Sequence, residues 1–386
     1  MNALPLEIIK ILTSYEPKIL ILTTSLNKFL YEYRKHFSID FNFINIYKFK
    51  TKFQIDNLYN VDKLPLKNIN KEFFKIIFNY YFNQNIDNLP KNTICLTFGD
   101  CFNQKVNSLP KNITRLIFGN DFNQKVDHLP ENIIHLVFGC YFDQKVDNLP
   151  KSLINLTFGD NFNQNVDNLP NNIIHLTFGF DFDQNVDNLP KTIIHLTFGF
   201  EFDRNVDNLP KNVTYLTFGS KFNQNVKNLP KNITHLVFKC DFNKEIDDLP
   251  KKITHLTFGN YFNQSIDDLP QSIIHLTFGC YFNQNIDGLP KNISHLILGK
   301  YFNKKINNLP PNITHLTLDE YFNENLNELC KNITFLTIKD NVNQNIYNVA
   351  PSKINFLNFR FYFRRHIPII CCLIMMIGIL LLIFDI

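Results

Sequence analysis

The sequence predicts a repeat solenoid on a parallel β-sheet, with one short strand per unit. Three observations predict it. A unit of 20 residues recurs without insertion, and its leading aromatic falls at Phe82, Phe102, Phe122, Phe142, Phe162, Phe182, Phe202, Phe222, Phe242, Phe262, Phe282, Phe302 and Phe322. The apolar residues of a unit are spread around its whole length, so the coil closes on them and neighbouring units cover the rest. One four-residue stretch of each unit alternates polar and apolar, as a half-buried strand does.

The unit from Phe162 to Asp181 shows how each element follows. Phe162, Val166, Leu169, Ile173, Leu176 and Phe178 are its apolar set. The alternating stretch is His175-Leu176-Thr177-Phe178, with the Thr and Phe that strands favour. Leu176 and Phe178 are expected to point inward, and His175 and Thr177 outward. Gly179 suits a strand end that needs positive φ or close backbone approach. Leu169-Pro170 opens the return path, because proline donates no ladder bond and belongs outside the sheet.

Parallel stacking sets strands roughly 4.8 Å apart, so the units of residues 82–341 make a sheet roughly 60 Å long. Identical side chains then form columns. Asn83, Asn103, Asn123 and Asn163 make the clearest polar one, expected as a buried ladder whose amides satisfy turn backbone groups.

The Leu-Pro-x-x-Ile-x-x-Leu-x-Phe pattern resembles a leucine-rich repeat. The fuller signature, Phe-Asn-Gln-x-Ile/Val followed by Leu-Pro and Leu-x-Phe-Gly, resembles the FNIP repeat, a relative of leucine-rich repeats found in social amoebae and in giant viruses of amoebae. The unit here is a little shorter than the usual family form. The resemblance implies a protein-binding solenoid, often with an F-box at its N-terminus.

Residues 1–50 are expected to be a small helical segment. Leu6, Ile8, Ile9, Ile11 and Leu12 have helix-like spacing, and a second helical stretch follows from Ser25 to His36. Glu7 and Lys10 interrupt the early apolar stretch, so a signal peptide is not expected. Leu4-Pro5-x-Glu7-Ile8-Ile9-x-Ile11-Leu12 resembles the start of an F-box. That resemblance implies that Leu4, Pro5, Ile8, Ile9 and Leu12 face a Skp-type adaptor, which bridges to a cullin ubiquitin ligase. The plainer alternative is a helical cap on the first repeat, which solenoids need. Residues 51–81 echo the repeat at Leu64-Pro65 and Ile76-Ile77-Phe78 and are expected to be a degenerate entry unit.

Eight of the eleven histidines share one outward column: His135, His175, His195, His235, His255, His275, His295 and His315. With Thr177, Thr197, Thr257 and Thr277 they make a stripe on the strand face, the usual binding face of leucine-rich solenoids. Two accounts compete. Imidazoles at strand spacing could share an ion or sense pH. Copied repeats would instead stack neutral rings with no metal, and this is favoured, because a metal site has closed geometry and an ordered second shell. No cofactor is expected.

Lysines at 111, 151, 191, 211, 231, 251 and 291 form another column, and aspartates at 127, 147, 167, 187, 207, 247, 267 and 287 a further one. They nearly cancel, so each reads as a solvated face; the 39 basic and 35 acidic residues of the chain nearly cancel too, so no basic field selects nucleic acid. The positions after each glycine vary most: Phe180, Phe200, Ser220, Cys280 and Lys300, with Tyr141, Asp181, Glu201 and Lys221 beside them. Two readings of this variation stand side by side: partner specificity is written there, or packing constrains those positions least. Asn-x-Ser/Thr recurs at Asn112, Asn212, Asn232, Asn292, Asn312 and Asn332 as a repeat column.

The cysteines form no C-x-x-C pair, which excludes a zinc knuckle and argues for a reducing compartment. No G-x-S-x-G, P-loop or H-E-x-x-H occurs, and an enzyme is not expected. Repeat quality decays after Asp319: Cys330 replaces proline and Val342 the leading Phe, and residues 342–360 are expected to cap the exit with Ile354, Leu357 and Phe359. Residues 367–384 then carry no charge. A helix of that length spans roughly 27 Å, close to the roughly 30 Å hydrocarbon core. Arg360, Arg364 and Arg365 precede it, which places the solenoid on the cytoplasmic side of a membrane as a tail-anchored protein. The reading is a non-enzymatic adaptor that joins a target protein to a Skp-cullin-F-box ligase. The alternative is a membrane-anchored binding solenoid without ligase role.

Overall fold

The computed structural model describes residues 58–61, 74–306, 308–319, 321–322 and 333–338. The expected N-terminal helices with Leu4, Pro5, Ile8, Ile9 and Leu12, the exit cap at 342–360 and the apolar segment 367–384 lie outside these residues. Among the described residues there is no helix, and so none long and apolar enough to cross a membrane.

The described chain is one parallel sheet of 15 strands in sequence order. Strands β1 (Leu58–Val61), β2 (Phe74–Phe78) and β3 (Thr93–Thr97) come first. Three-residue strands follow, one per unit, from β4 (Arg115–Ile117) to β13 (His295–Ile297). The last are β14 (His315–Leu318) and β15 (Phe335–Ile338). Each strand pairs one full unit away, so His235 lies opposite His255, and Leu236 opposite Leu256. The register shifts once, between Phe74 and Lys75 at the entry, where spacing departs from the repeat.

The expected strand was His175–Phe178; the observed one is His175–Thr177. Phe178 still bonds the next unit, its N–H donating to Thr197 O at 2.9 Å. At the other end, Ile154 O accepts from both Ile174 N and His175 N, at 2.9 and 3.1 Å. One carbonyl thus serves two N–H groups at the entry to the strand, with no residue added to the register. There two successive residues, Ile174 and His175, stay off the interior before Leu176 resumes the inward set.

The interior is a set of stacked columns, as the spread of apolar residues requires. Phe162, Ile173, Leu176 and Phe178 are at most 3% exposed, and their equivalents repeat along the array. Phe178 stacks on Phe182 at 3.7 Å between ring centroids and 9°, closing the coil between consecutive units. Leu169 and Pro170 are buried, and Pro170 O accepts from Ile173 N at 3.4 Å in the turn that leads back to the strand.

Two sequence expectations are refined. None of the described glycines has positive φ, so the need is for close approach. A Cβ on Gly199 would stand 1.5 Å from Gly179 O. Asn79 and Asp319 stand in this column at its two ends, and Lys239 stands in its middle, where nothing in the structure explains it. The Asn column is structural, but it is not buried: Asn83 and Asn163 are exposed, and Asn103 and Asn123 half-buried. Asn163 Oδ1 accepts from Asp183 N at 3.0 Å and from Gln184 Nε2 at 2.9 Å. The ladder needs only a side-chain acceptor, and Asp143 serves equally for Asn163 N and Gln164 Nε2.

The solenoid bends. Ring centroids in the outward histidine column are 4.0 to 4.4 Å apart. Those of the buried column through Phe182 are 6.0 to 6.2 Å apart. One translation per unit that shrinks toward the strand side puts the strand face inside the curve.

Candidate functional site

The strand face is the broadest regular surface of the array, and the histidine column runs along it. His175, His195, Tyr215, His235, His255, His275, His295, His315 and Phe335 form one unbroken stack of rings. Parallel pairing in register puts these rings in line, and their flat faces cover one another. Tyr215 and Phe335 were not foreseen as members, although they hold the same phase in the repeat. His135 is separated from the stack by Asn155, whose Nδ2 donates to His135 Nδ1 at 2.8 Å. The eight predicted histidines are thus one stack of seven plus His135 beyond a polar break.

Burial among neighbouring rings pushes the pKa of His195, His235, His255, His275 and His295 below the usual imidazole range, and the charge that nearby histidines would carry adds to this. His135 is lowered by burial first, then by Arg115 and His175. The hydroxyl of the preceding residue holds Nδ1: Thr234 to His235 at 2.9 Å, Thr254 to His255 at 2.9 Å and Thr314 to His315 at 2.8 Å. No hydrogen bond engages Nε2 of these rings among the described residues, so that edge faces the concave side. No group of three or more His, Cys, Asp or Glu among the described residues is placed to hold a metal ion.

Beside the column runs a groove of about 830 Å³, from Ser152 to Lys252. Its floor is Ile154, Ile174, Ile194, Thr214 and Thr234, the residues just before each strand. Its other wall includes Asn172, Thr192, Asn212 and Asn232. The sequence reading missed it, because strict alternation assigns no second outward residue before the strand. Asn212 and Asn232 of that wall belong to the Asn-x-Ser/Thr column, and they are engaged: Asn212 Nδ2 donates to Lys191 O at 2.9 Å and Asn232 Nδ2 to Lys211 O at 3.1 Å. A smaller cleft of about 230 Å³ lies on the C-terminal strand face between His275 and Phe335.

The remaining predicted columns divide. The aspartates brace the array: Asp167 Oδ1 accepts from Asn188 Nδ2 at 3.1 Å, and Asp187 Oδ1 from Asn208 Nδ2 at 3.1 Å. The variable positions after glycine carry exposed rings. Phe180 stacks on Phe200 at 4.5 Å, and Tyr261, Tyr281, Tyr301 and Tyr321 form a ladder at 5.0 to 5.1 Å. Cys95, Cys101, Cys140, Cys240 and Cys280 are free thiols.

A curved parallel solenoid with one in-register strand per unit is of the leucine-rich-repeat type, an architecture typical of protein–protein interaction. The FNIP repeat model matches repeatedly and without a gap across residues 82–321, and the chain belongs to the FNIP repeat family. Among solved structures it is similar to CroV588, described as a novel circular LRR protein, at 40% identity and a TM-score of 0.65. That match covers 74% of this chain and 49% of CroV588, so the chain spans about half the length of that relative. YopM from Yersinia enterocolitica is a more distant likeness, at 15% identity and a TM-score of 0.39 over 74% of this chain and 78% of YopM. A search of curated proteins found no match.

Proposed function

We propose that the chain is a non-enzymatic adaptor whose solenoid holds a target protein on its concave strand face. The observation that carries this is the unbroken in-register stack from His175 to Phe335, beside a groove with an apolar floor. A preformed concave face with aligned rings and side-chain acceptors suits a protein surface, because little conformational freedom is lost on docking. In this reading Leu4, Pro5, Ile8, Ile9 and Leu12 engage a Skp-type adaptor, and the target is presented to a cullin ubiquitin ligase. The F-box resemblance supports that part. The test is proximity labelling with the intact chain, with Leu4→Ala plus Pro5→Ala, and with Thr214→Arg plus Thr234→Arg in the groove. Loss of the Skp-type protein in the first variant and of other neighbours in the second is the expected result. Identical labelling in all three would sink the proposal.

A second reading is favoured by the uncharged run at 367–384 with Arg360, Arg364 and Arg365 before it. In it the solenoid is a binding module held on the cytoplasmic side of a membrane, with no ligase role and with residues 1–50 as a cap. Removing residues 367–386 then releases the chain from the membrane fraction, while removing residues 1–45 lowers stability and leaves ubiquitination of its neighbours unchanged.

A further inference from the structure

The groove beside the histidine column has two unlike sides. On one, Lys151, Lys191, Lys211, Lys231 and Lys251 each stand next in sequence to a wall residue, and all are exposed. Among the described residues none of them joins an ion pair; such pairs are seen elsewhere, at Arg204–Asp183 and Lys221–Glu201. On the other side stand the imidazoles, tied to the floor where Thr234 Oγ1 meets His235 Nδ1. One side is therefore a row of lysines, and the other a row of imidazoles.

No carboxylate lines the groove. The turn aspartates at 147, 167, 187 and 207 are separated from the lysines by buried Leu-Pro pairs, and each accepts from an asparagine of the following unit. Glu131 lies in the lysine column just before the groove begins, where its Oε2 accepts from Lys151 N at 3.4 Å. Arg115 lies beyond His135, and Lys252 closes the C-terminal end, its Nζ donating to Asn232 Oδ1 at 2.8 Å. The column opposite the floor, through Thr177, Thr197, Thr217, Val237 and Thr257, is uncharged.

Resting on the reading of this face as a protein-docking surface, we infer that the groove takes an extended acidic segment of a protein partner and that its grip tightens as pH falls. The floor receives alternate apolar side chains, and acidic ones between them reach either rail. From Ser152 to Lys252 the groove crosses five unit steps, roughly 24 Å, which about seven residues of extended chain match. Between about pH 6.5, where free imidazole titrates, and about pH 4.3, where glutamate does, the partner stays anionic while the column gains protons. Stacked imidazolium rings repel one another, so proton uptake is held back until an anion sits beside them, and binding and protonation reinforce each other. The Thr234 hydroxyl suits this gate. With its own proton on Thr214 O, it accepts from Nδ1–H of the charged ring.

The test uses the full chain and a fluorescein-labelled twelve-residue peptide in which Glu alternates with Val and Ser, followed by anisotropy at about pH 7.5 and about pH 5.0. The expected result is weak binding at the higher pH and at least about tenfold tighter binding at the lower. His195→Asn with His235→Asn and His255→Asn removes that gain and keeps the weak neutral-pH binding; asparagine is chosen because Asn155 already stands in the column. Lys191→Gln with Lys211→Gln and Lys231→Gln weakens binding at both values. Equal affinity at the two pH values, or an undiminished gain in the histidine variant, overturns the gate. So does loss of the far-UV circular dichroism of the unmodified chain at the lower pH, because the gate requires a folded column. A larger gain for a twelve-residue oligothymidylate overturns the assignment to a protein segment. Should the gate fail while Thr214→Arg plus Thr234→Arg still strips neighbours from the chain in cells, the docking face stands and only its control by protons is lost.

Discussion

Two stacks of aromatic rings run the length of this solenoid, one inside and one outside. The inner one pairs Phe178 with Phe182, and the pair recurs at 3.7 to 3.9 Å from Phe78–Phe82 to Phe278–Phe282, after which Leu298 and Leu318 replace its first ring. Its leading column admits nothing but Phe from Phe82 to Phe322. The outer stack keeps a similar spacing yet mixes His, Tyr and Phe, and it breaks at Asn155. Inside, a ring is enclosed by the coil and by two neighbours, so any change leaves a void or a clash. Outside, one edge of each ring faces water, and the ring needs only to be flat. The inner stack specifies the fold; the outer one is free to carry chemistry.

The largest effect should come from breaking the inner stack. Phe182→Ala removes a fully buried ring in contact with Phe178, Phe162 and Phe202, and should lower stability by about 4 kcal/mol in urea unfolding. A loss below that of an exposed ring would erase the distinction between the stacks. Next is Gly199→Ala, whose Cβ would meet the Gly179 carbonyl at 1.5 Å; the backbone must move, at about 3 kcal/mol. Lys239→Gly, the reverse change in the same column, should leave stability equal or higher. Asn163→Ala leaves Asp183 N without its acceptor and should cost about 1 kcal/mol.

The outer stack should answer to pH. The pKa values of His135, His195, His235, His255, His275 and His295 are lowered in the folded chain, chiefly by burial. The unfolded chain therefore binds more protons in the window just below about pH 6.5, so this stability is present above that value and is lost as pH falls through the folded pKa values. The thermal midpoint should drop on going from neutral to mildly acidic buffer. His195→Asn with His235→Asn should make the drop smaller, and an unchanged drop would assign it to other groups. Smallest of all is Tyr281→Ala in the exposed ladder, at 46% exposed, which should shift stability by less than about 0.5 kcal/mol.

Much of this was legible in the residues. The inward Leu176 and Phe178 and the outward His175 and Thr177 follow from alternation, and the stacking follows from an unbroken period. Three things were not. The paired N–H groups of Ile174 and His175 share one carbonyl of the preceding unit, and no local pattern marks that. The groove forms where Ile174 and its copies line up from successive units. The aspartate column looked like a solvated face, and its bonds to Asn188 and Asn208 depend on side chains 21 residues away.

By itself, the sequence determined that each coil closes on its own apolar residues and that every side chain meets its copy in the next coil. A strict period with no insertion permits no other stacking. Only the tertiary structure decided the direction of the bend, the concave placement of the imidazoles and the groove beside them. These depend on how translation per unit differs between the strand side and the phenylalanine side, a difference set by packing across the coil rather than by any one residue.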